Sequence, residues 1–161
     1  MAIDYFLKID GIPGESLDSK HKGEIEVEAW AWGEANPAPP GGTGGGAGAG
    51  KVQMQDFNFT ANTSKASPNL MLACASGKHF KSAVLTARKA GKGAAEFLTF
   101  SLSDILVSSY QIGGAEGQVV PMDNFSLNFS KIKMEYKEQK ADGSLGKSIT
   151  AGWDVKHNKA F

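Results

Sequence analysis

The sequence has few of the features that mark several large protein classes. It contains one cysteine, Cys74, so an intramolecular disulfide framework is excluded and folding in a reducing compartment is expected. Its 17 basic and 17 acidic residues cancel, which argues against nucleic acid or an anionic membrane as a partner. No apolar run reaches the roughly 18 residues of a membrane-spanning helix. The first residues also lack a basic segment followed by an apolar run, so we expect no cleaved signal peptide.

Metal-ligand and nucleophile patterns are also scarce. His21, His79 and His157 show none of the paired spacings that metal ligands adopt. Cys74 lies among apolar residues, which favours a buried structural thiol over a nucleophile. His79 has a functional interpretation beside the structural one that we favour, a polar residue between a helix and a strand. The sequence therefore predicts no metal site.

Two glycine-containing stretches resemble catalytic motifs but do not complete them. Residues 45–51 match seven positions of a phosphate-binding loop, but Val52 stands where the magnesium-binding Ser or Thr belongs and a strand pattern follows. Residues 14–18 resemble a nucleophile elbow without its final glycine. We expect neither an enzyme nor a bound cofactor.

Alternating apolar residues predict a mainly β protein. At this length and 41% hydrophobic residues, the chain suits a single domain spanning residues 1–161. We predict one β-barrel of about eight strands with one short flanking α-helix. The predicted strands are 2–9, 24–33, 51–62, 80–88, 96–103, 105–112, 122–139 and a last one around 149–155, after a turn at Asp142-Gly143.

The predicted helix and two predicted bulges rest on local signals. Ser67 is expected as the helix N-cap, Pro68 as its first residue and Gly77 just past its end. The alternation of apolar residues slips by one near Asp56 and again near Ser130-Lys131, which predicts a β-bulge at each place.

Residues 24–33 are expected to organise the core. Ile25, Val27, Ala29 and Ala31 fall on one face of an extended strand and should point inward, while Trp30 and Trp32 fall on the other. We expect the helix or another subunit to cover these two indoles; an aromatic platform for sugar is the alternative. Trp153 alternates with Ile149 and Val155 and is expected in the core.

A glycine- and proline-rich stretch at about 35–50 interrupts the strand pattern. Its composition buries little apolar surface, so it is expected to form an extended flexible loop or to become ordered only by a partner.

Six stretches together carry a resemblance to a known family. They are AIDYFLKIDGIPGES (2–16), IEVEAWAWG (25–33), GKHF (77–80), RKAG (88–91), VSSYQ (107–111) and SLNFSKI (126–132). In this order they resemble the haemolysin-coregulated protein (Hcp) family, the tube protein of the bacterial type VI secretion system, and the resemblance extends over almost the whole chain.

The resemblance implies a β-barrel protomer that forms six-fold rings, which stack into the inner tube of a contractile, phage-tail-like injector. It implies no enzymatic activity, and as partners other copies of the chain, the sheath, spike and baseplate proteins, and small effectors carried in the ring lumen. The protein would be cytoplasmic before firing and then secreted with the tube. The loop at 35–50 would reach a neighbouring ring, which makes these the candidate ring-stacking residues: Asn36, Gly41, Gly42, Thr43, Gly46 and Gly50.

A monomeric β-barrel that binds carbohydrate or another ligand is the alternative function. It would use Trp30 and Trp32 and requires their ring faces to be exposed. Burial of both indoles would count against it.

Overall fold

The chain folds as strands around one core, with one helix packed against them. The computed structural model describes residues 2–37, 51–90, 93 and 95–161. No helix in these ranges is long and apolar enough to cross a membrane. The elements are β1 (Ile3–Ile9), β2 (Ile25–Val27), β3 (Ala29–Ala31), β4 (Glu34–Ala35), β5 (Gln53–Met54), β6 (Phe57–Asn62), α1 (Ala66–Ser76), β7 (His79–Lys89), β8 (Glu96–Gly113), β9 (Met122–Asn128), β10 (Lys131–Gln139), β11 (Leu145–Asp154) and β12 (Lys159–Ala160).

Ten of the strands belong to one sheet, and β4 with β5 forms a separate hairpin. The main order is β12-β11-β10-β8-β7-β1-β2, and a branch runs from β8 through β9 and β6 to β3. β2 ends the main order, paired with β1, and β3 ends the branch, paired with β6. These two strands follow each other in the sequence, so Glu28 connects the end of the main order to the end of the branch. The Glu28 amide donates to the Thr60 carbonyl over 2.8 Å. The predicted mainly β, barrel-like fold with one short helix is confirmed.

The core fills the space that these strands surround. Alternation along β6 turns Phe57, Phe59 and Ala61 inward, where they meet Phe125 and Leu127 of the paired strand β9. The rings of Phe57 and Phe59 stack with centroids 5.2 Å apart, as do those of Phe59 and Phe125. Burial of these apolar side chains is the main stabilising contribution.

The predicted strand 24–33 is interrupted at Glu28, and the side chains that point inward change parity there. Ile25 and Val27 are buried as predicted, but Ala29 and Ala31 are exposed and the prediction that they lie in the core is wrong. The break between β2 and β3 inserts one residue, and a one-residue slip turns the following side chains to the opposite face. The two tryptophans therefore point inward.

The helix begins earlier than predicted and ends where predicted. Ala66 is its first residue, so neither Ser67 as N-cap nor Pro68 as first residue is correct. The Ser67 hydroxyl instead accepts the Ser64 amide hydrogen and is buried. Gly77 ends the helix with a left-handed φ of 67°, which glycine adopts without strain.

One long strand, β8, replaces the two that were predicted at 96–103 and 105–112. Asp104 lies within it at a φ of 51°, and the buried positions change from Phe100 and Leu102 to Ile105 and Val107. The irregular residue Asp104 shifts the alternation, so Leu106 and Ile112 are not among the buried core residues.

The predicted slip near Ser130-Lys131 is present. β9 and β10 are separated by Phe129 and Ser130, and the Ser130 amide donates to the Ser103 carbonyl over 3.0 Å. Ser130 also donates its hydroxyl to Asp104 Oδ2 over 2.8 Å. The bend of β8 and the break between β9 and β10 thus form one corner of the sheet. The other predicted irregularity, at Asp56, falls at the break between β5 and β6.

Candidate functional site

β10 and β11 form an antiparallel hairpin that carries a row of apolar side chains on one face. The register places Ile132 opposite Trp153, Met134 opposite Ala151 and Tyr136 opposite Ile149. Side chains directly opposite each other share a face and are in contact distance. We call the row Ile132, Met134, Tyr136, Ile149, Ala151 and Trp153 the hairpin apolar face.

The hairpin apolar face begins in the core and continues beyond it. Ile132 is 5% exposed, Met134 and Tyr136 are each 43% exposed, and Ile149 is 70% exposed. The apolar alternation after the slip at Ser130-Lys131 would place Met134 and Tyr136 in the core with Ile132, but in the protomer both lie outside it. Contiguous exposed apolar surface of this kind is typical of an interaction site.

A cavity of about 560 Å³ lies at the base of this face. Trp32, Met54, Met134 and Trp153 give it a largely apolar lining, and the β4–β5 hairpin forms its opposite side. Trp153 packs against the core as predicted, and its buried indole Nε1 has no hydrogen-bond partner among the described residues. The cavity lining is thus mostly apolar, with Glu34, Asn36 and Asn158 as its polar members.

One of the predicted ring-stacking residues lies in the described part of the chain. Asn36, just after β4, is exposed and lines the cavity. The remaining candidates lie outside the described residues: Gly41, Gly42, Thr43, Gly46 and Gly50. Their role in stacking stays a prediction.

Trp30 and Trp32 belong to an aromatic cluster. The Trp30 ring lies 5.7 Å from Phe57 and 5.5 Å from Phe100, centroid to centroid. Trp32 is parallel to Phe57 within 7°, and its Nε1 donates to the Gln55 carbonyl over 3.0 Å. Both indoles are half-buried by aromatic packing, so neither α1 nor a second subunit is needed to cover them, and the arrangement does not favour a sugar platform.

The outward face of α1 is a second exposed apolar surface. Pro68, Met71, Leu72 and Ala75 recur at helical spacing and are all exposed. We call these four residues the α1 outer face. The helix contains no charged residue, whereas surface helices usually carry charge on their solvent side.

The histidines take part in polar contacts rather than in a catalytic group. His79 is exposed, and its Nδ1 lies 3.0 Å from Asp104 Oδ1. A hydrogen bond from the Ser130 hydroxyl and, to a smaller extent, one from His79 lower the pKa of the Asp104 carboxyl. His157 lies 2.9 Å from Asp154. No cluster of three or more potential metal ligands occurs in residues 2–37, 51–90 and 95–161.

His21 and Arg88 fasten the loop between β1 and β2 onto the outside of the sheet. His21 stacks on Phe6 at 4.4 Å, and its Nε2 lies 2.6 Å from Glu96 Oε1. Arg88 donates to both carboxylate oxygens of Asp18, over 2.9 and 2.7 Å. The Arg88 guanidinium beside Asp18 holds the pKa of that carboxyl well below its usual range. These contacts are structural.

Sequence reasoning did not identify the hairpin apolar face or the α1 outer face as surfaces. Each of the two surfaces corresponds to a pattern in the sequence. The apolar positions of β10 continue past the last core residue, and α1 is apolar on two opposite sides rather than on one. Apolar periodicity in a sequence does not show where the core ends, so these surfaces were not distinguished from core positions.

Comparison with known proteins gives consistent matches over almost the whole chain. A family model described as "Type VI secretion system effector, Hcp" matches residues 6–136. Protein hcp1 of Pseudomonas aeruginosa is 48% identical over 160 residues, which cover 98% of each chain. The crystal structure of Hcp1 from Salmonella typhimurium is 39% identical with a TM-score of 0.81 and covers 100% of both chains. A solved type six secretion system protein is 30% identical with a TM-score of 0.93, covering 99% of this chain and 100% of its own.

Proposed function

Because the chain belongs to the Hcp family of type VI secretion system tube proteins, we propose that six copies assemble as a ring and that rings stack into the inner tube. Contraction of the sheath, powered elsewhere, then propels the tube out of the cell. The protein acts as a structural component and contributes no catalysis and no cofactor chemistry of its own.

The observation that supports ring formation is the hairpin apolar face. Met134, Tyr136 and Ile149 continue a buried core row into solvent. Interfaces between permanently associated copies resemble a domain core cut in half, and a row that starts inside the protomer fits that description. A closed ring also covers sheet edges that would otherwise invite aggregation.

Axial contact between rings is assigned to the loop at about 35–50. Its described end, Asn36, is exposed and borders the cavity beside the hairpin apolar face. Ordering a glycine-rich loop on docking costs conformational entropy. Free rings should therefore stack weakly, and the baseplate and spike would template the tube.

The lumen of the ring carries small effector proteins in this proposal. The protein is made in the cytoplasm, enters the tube there, and leaves through the type VI apparatus without a cleaved signal peptide. Sheath, spike and baseplate proteins are its other partners, and neither nucleic acid nor membrane insertion takes part.

Ring formation is tested by the mass of the purified protein. Light scattering should give about six times the 17.0 kDa chain mass, with annular particles by negative stain. The variant Ile149→Asp should reduce the mass to that of one chain while keeping a cooperative unfolding transition, because the side chain is already 70% exposed in the protomer. Val119→Asp, at a fully exposed loop position, is the matched control. A monomeric wild type, or a ring that tolerates Ile149→Asp, would refute the assignment.

Stacking is tested separately by deletion of residues 41–50. The deletion variant should still form rings, because the hairpin apolar face is unchanged. Tube formation and secretion should be impaired. Normal tubes and normal secretion from this variant would show that the loop does not provide the axial contact.

A further inference from the structure

The described base of the extended loop is a short hairpin outside the main sheet. β4 and β5 pair with each other, Glu34 opposite Met54, and within the described ranges neither strand joins the ten-stranded sheet. A two-stranded hairpin is only marginally stable alone in water. The direction of this hairpin therefore depends on the residues that join it to the barrel, at 32–33 and 55–56.

Hydrogen bonds close the hairpin at its base. The Gln55 amide donates to the Gly33 carbonyl over 2.9 Å. The Trp32 Nε1 donates to the Gln55 carbonyl over 3.0 Å, and the Trp32 ring packs against the core. These bonds involve neither β8 nor β9. A connection to those two strands comes from the next residue, Asp56.

The Asp56 carboxylate accepts hydrogen bonds from two strands of the barrel. The Ser108 hydroxyl, on β8, donates to Oδ2 over 2.6 Å. The Asn128 side-chain amide, at the end of β9, donates to Oδ1 over 2.9 Å. Bonds to an ionised acceptor are stronger than those between neutral groups. The Asn58 side chain also donates to the Asp56 carbonyl over 3.1 Å, so both the side chain and the backbone of Asp56 are held.

A β-bulge aims Ser108 at Asp56. The pairing of β8 with β9 shifts by one residue between Val107 and Ser109, which leaves Ser108 as the extra residue. The hydroxyls of Ser108 and Ser109 both lie within hydrogen-bond distance of the buried Ser126 hydroxyl, at 2.7 and 2.5 Å. Neighbouring side chains of a regular strand point to opposite faces, so this arrangement requires the bulge. The VSSYQ stretch (107–111) thus supplies a hydroxyl to the base of the loop.

We propose that Asp56, held by Ser108 and Asn128, is a positioning residue that sets the direction in which the β4–β5 hairpin, and with it the loop at about 35–50, leaves the barrel. This inference rests on the proposed role of that loop in ring stacking. A base held in the bound direction lowers the entropy that is lost on docking, because only the rest of the loop has to be ordered.

A distance measurement tests the position of the hairpin directly. Spin labels are attached at Gln53→Cys on β5 and Lys81→Cys on β7, both exposed positions, in a Cys74→Ala background that has no other thiol. Labelled chains are diluted into unlabelled ones, so that pulsed electron spin resonance reports the distance within one chain. With Asp56 present, one narrow distribution is expected. Asp56→Ala should broaden or shift it, and Asp56→Asn, which keeps one acceptor oxygen, should restore it in part.

Assembly is measured on Asp56→Ala without labels. The variant should keep the ring mass of the wild type and a cooperative unfolding transition, because Ser108 and Asn128 are exposed and can bond to water instead. Its secretion by cells that carry a type VI apparatus should be lost. Ser108→Ala removes one of the two donors and should reduce secretion less, and this variant decides the outcome if Asp56→Ala does not fold.

Asp142→Ala is the matched control. The Asp142 carboxylate likewise accepts a hydroxyl and an amide hydrogen, but both come from Ser144 in its own turn. Removal of this carboxylate should change neither the label distance nor secretion.

The outcomes separate this inference from the proposed stacking. An unchanged distance distribution in Asp56→Ala, or a broadened one with normal secretion, overturns the positioning role and leaves the stacking loop in place. Normal secretion after deletion of residues 41–50 overturns the stacking role itself, and with it the inference drawn from it.

Discussion

Ser67 of α1 donates a hydrogen bond through its hydroxyl to the buried carboxylate of Asp123 on β9. Thr63 and Tyr110 donate to the other carboxylate oxygen, each over 3.0 Å. Three hydroxyls from three parts of the chain thus converge on one acidic side chain. The carboxylate fixes where α1 lies on the barrel.

Replacement of Asp123 should therefore destabilise the protomer. Asp123→Ala leaves three hydroxyls without their acceptor, that of buried Ser67 and those of partly buried Thr63 and Tyr110, and should lower the free energy of unfolding by about 3 kcal/mol. Tyr110→Phe removes one donor of the three and should cost about 1 kcal/mol. Urea denaturation monitored by circular dichroism measures both. Equal stabilities for wild type and Asp123→Ala would show that the carboxylate does not hold the helix.

The ion pair between Arg88 and Asp18 should make the stability of the fold decrease at acid pH. Arg88, followed by the Lys20 amide, lowers the pKa of Asp18 below its unfolded value near 3.8. A lowered folded-state pKa stabilises the fold above the unfolded value, and this contribution is lost as the pH falls through the folded value. Stability should thus decline below about pH 4.

The variant Asp18→Asn tests this assignment by removing the titrating group. Its unfolding midpoint should be lower at neutral pH and should change less between pH 5 and pH 2 than that of the wild type, a range about the reference pKa of aspartate. Asp10→Asn is the control, since the Asp10 side chain makes no ion pair in the described ranges. A wild-type acid slope that persists in Asp18→Asn would assign the effect to other carboxyls.

Trp30 should contribute to stability and not to ligand binding. Its ring packs on Phe57, Phe100 and Tyr5, so Trp30→Ala should lower the free energy of unfolding by about 3 kcal/mol. Trp30→Phe keeps one ring and should cost less. Tryptophan fluorescence of the wild type should not change on addition of a glycan panel. A saturable fluorescence change that Trp30→Phe abolishes would revive the carbohydrate-binding alternative.

The features of the fold that depend only on neighbouring residues in the sequence could be predicted. The strand around Leu127, the slip at Ser130 and the helix end at Gly77 all follow from side-chain period or from glycine's freedom at positive φ. Strand partners are not local. The chain changes partner at Glu28 and bends at Asp104, and each event reverses the face of the residues that follow.

The candidate surfaces could not be predicted because the same apolar pattern serves a core and an interface. Tyr136 and Ile149 continue the spacing of Ile132 and Trp153, yet they lie beyond the strands that enclose the core. Only the packed structure shows that nothing in the described protomer covers them. The resemblance to the Hcp family predicted assembly as the function, while the apolar surface proposed to mediate it became visible only in the fold.

The backbone at Asp104 should determine which substitutions β8 tolerates. A φ of 51° is accessible to Asn and Asp but is strained for most other side chains, and most of all for β-branched ones. Asp104→Asn keeps both this conformation and an acceptor for the Ser130 hydroxyl, so its unfolding midpoint in urea should stay close to that of the wild type. Asp104→Ala loses the acceptor and should be less stable, and Asp104→Val adds backbone strain and should be the least stable. Val replacing the neighbouring Ser103, which lies in regular strand geometry opposite Lys131, is the control and should be tolerated. If Asp104→Val were as stable as Asp104→Ala, the corner formed with Ser130 would not depend on the left-handed conformation.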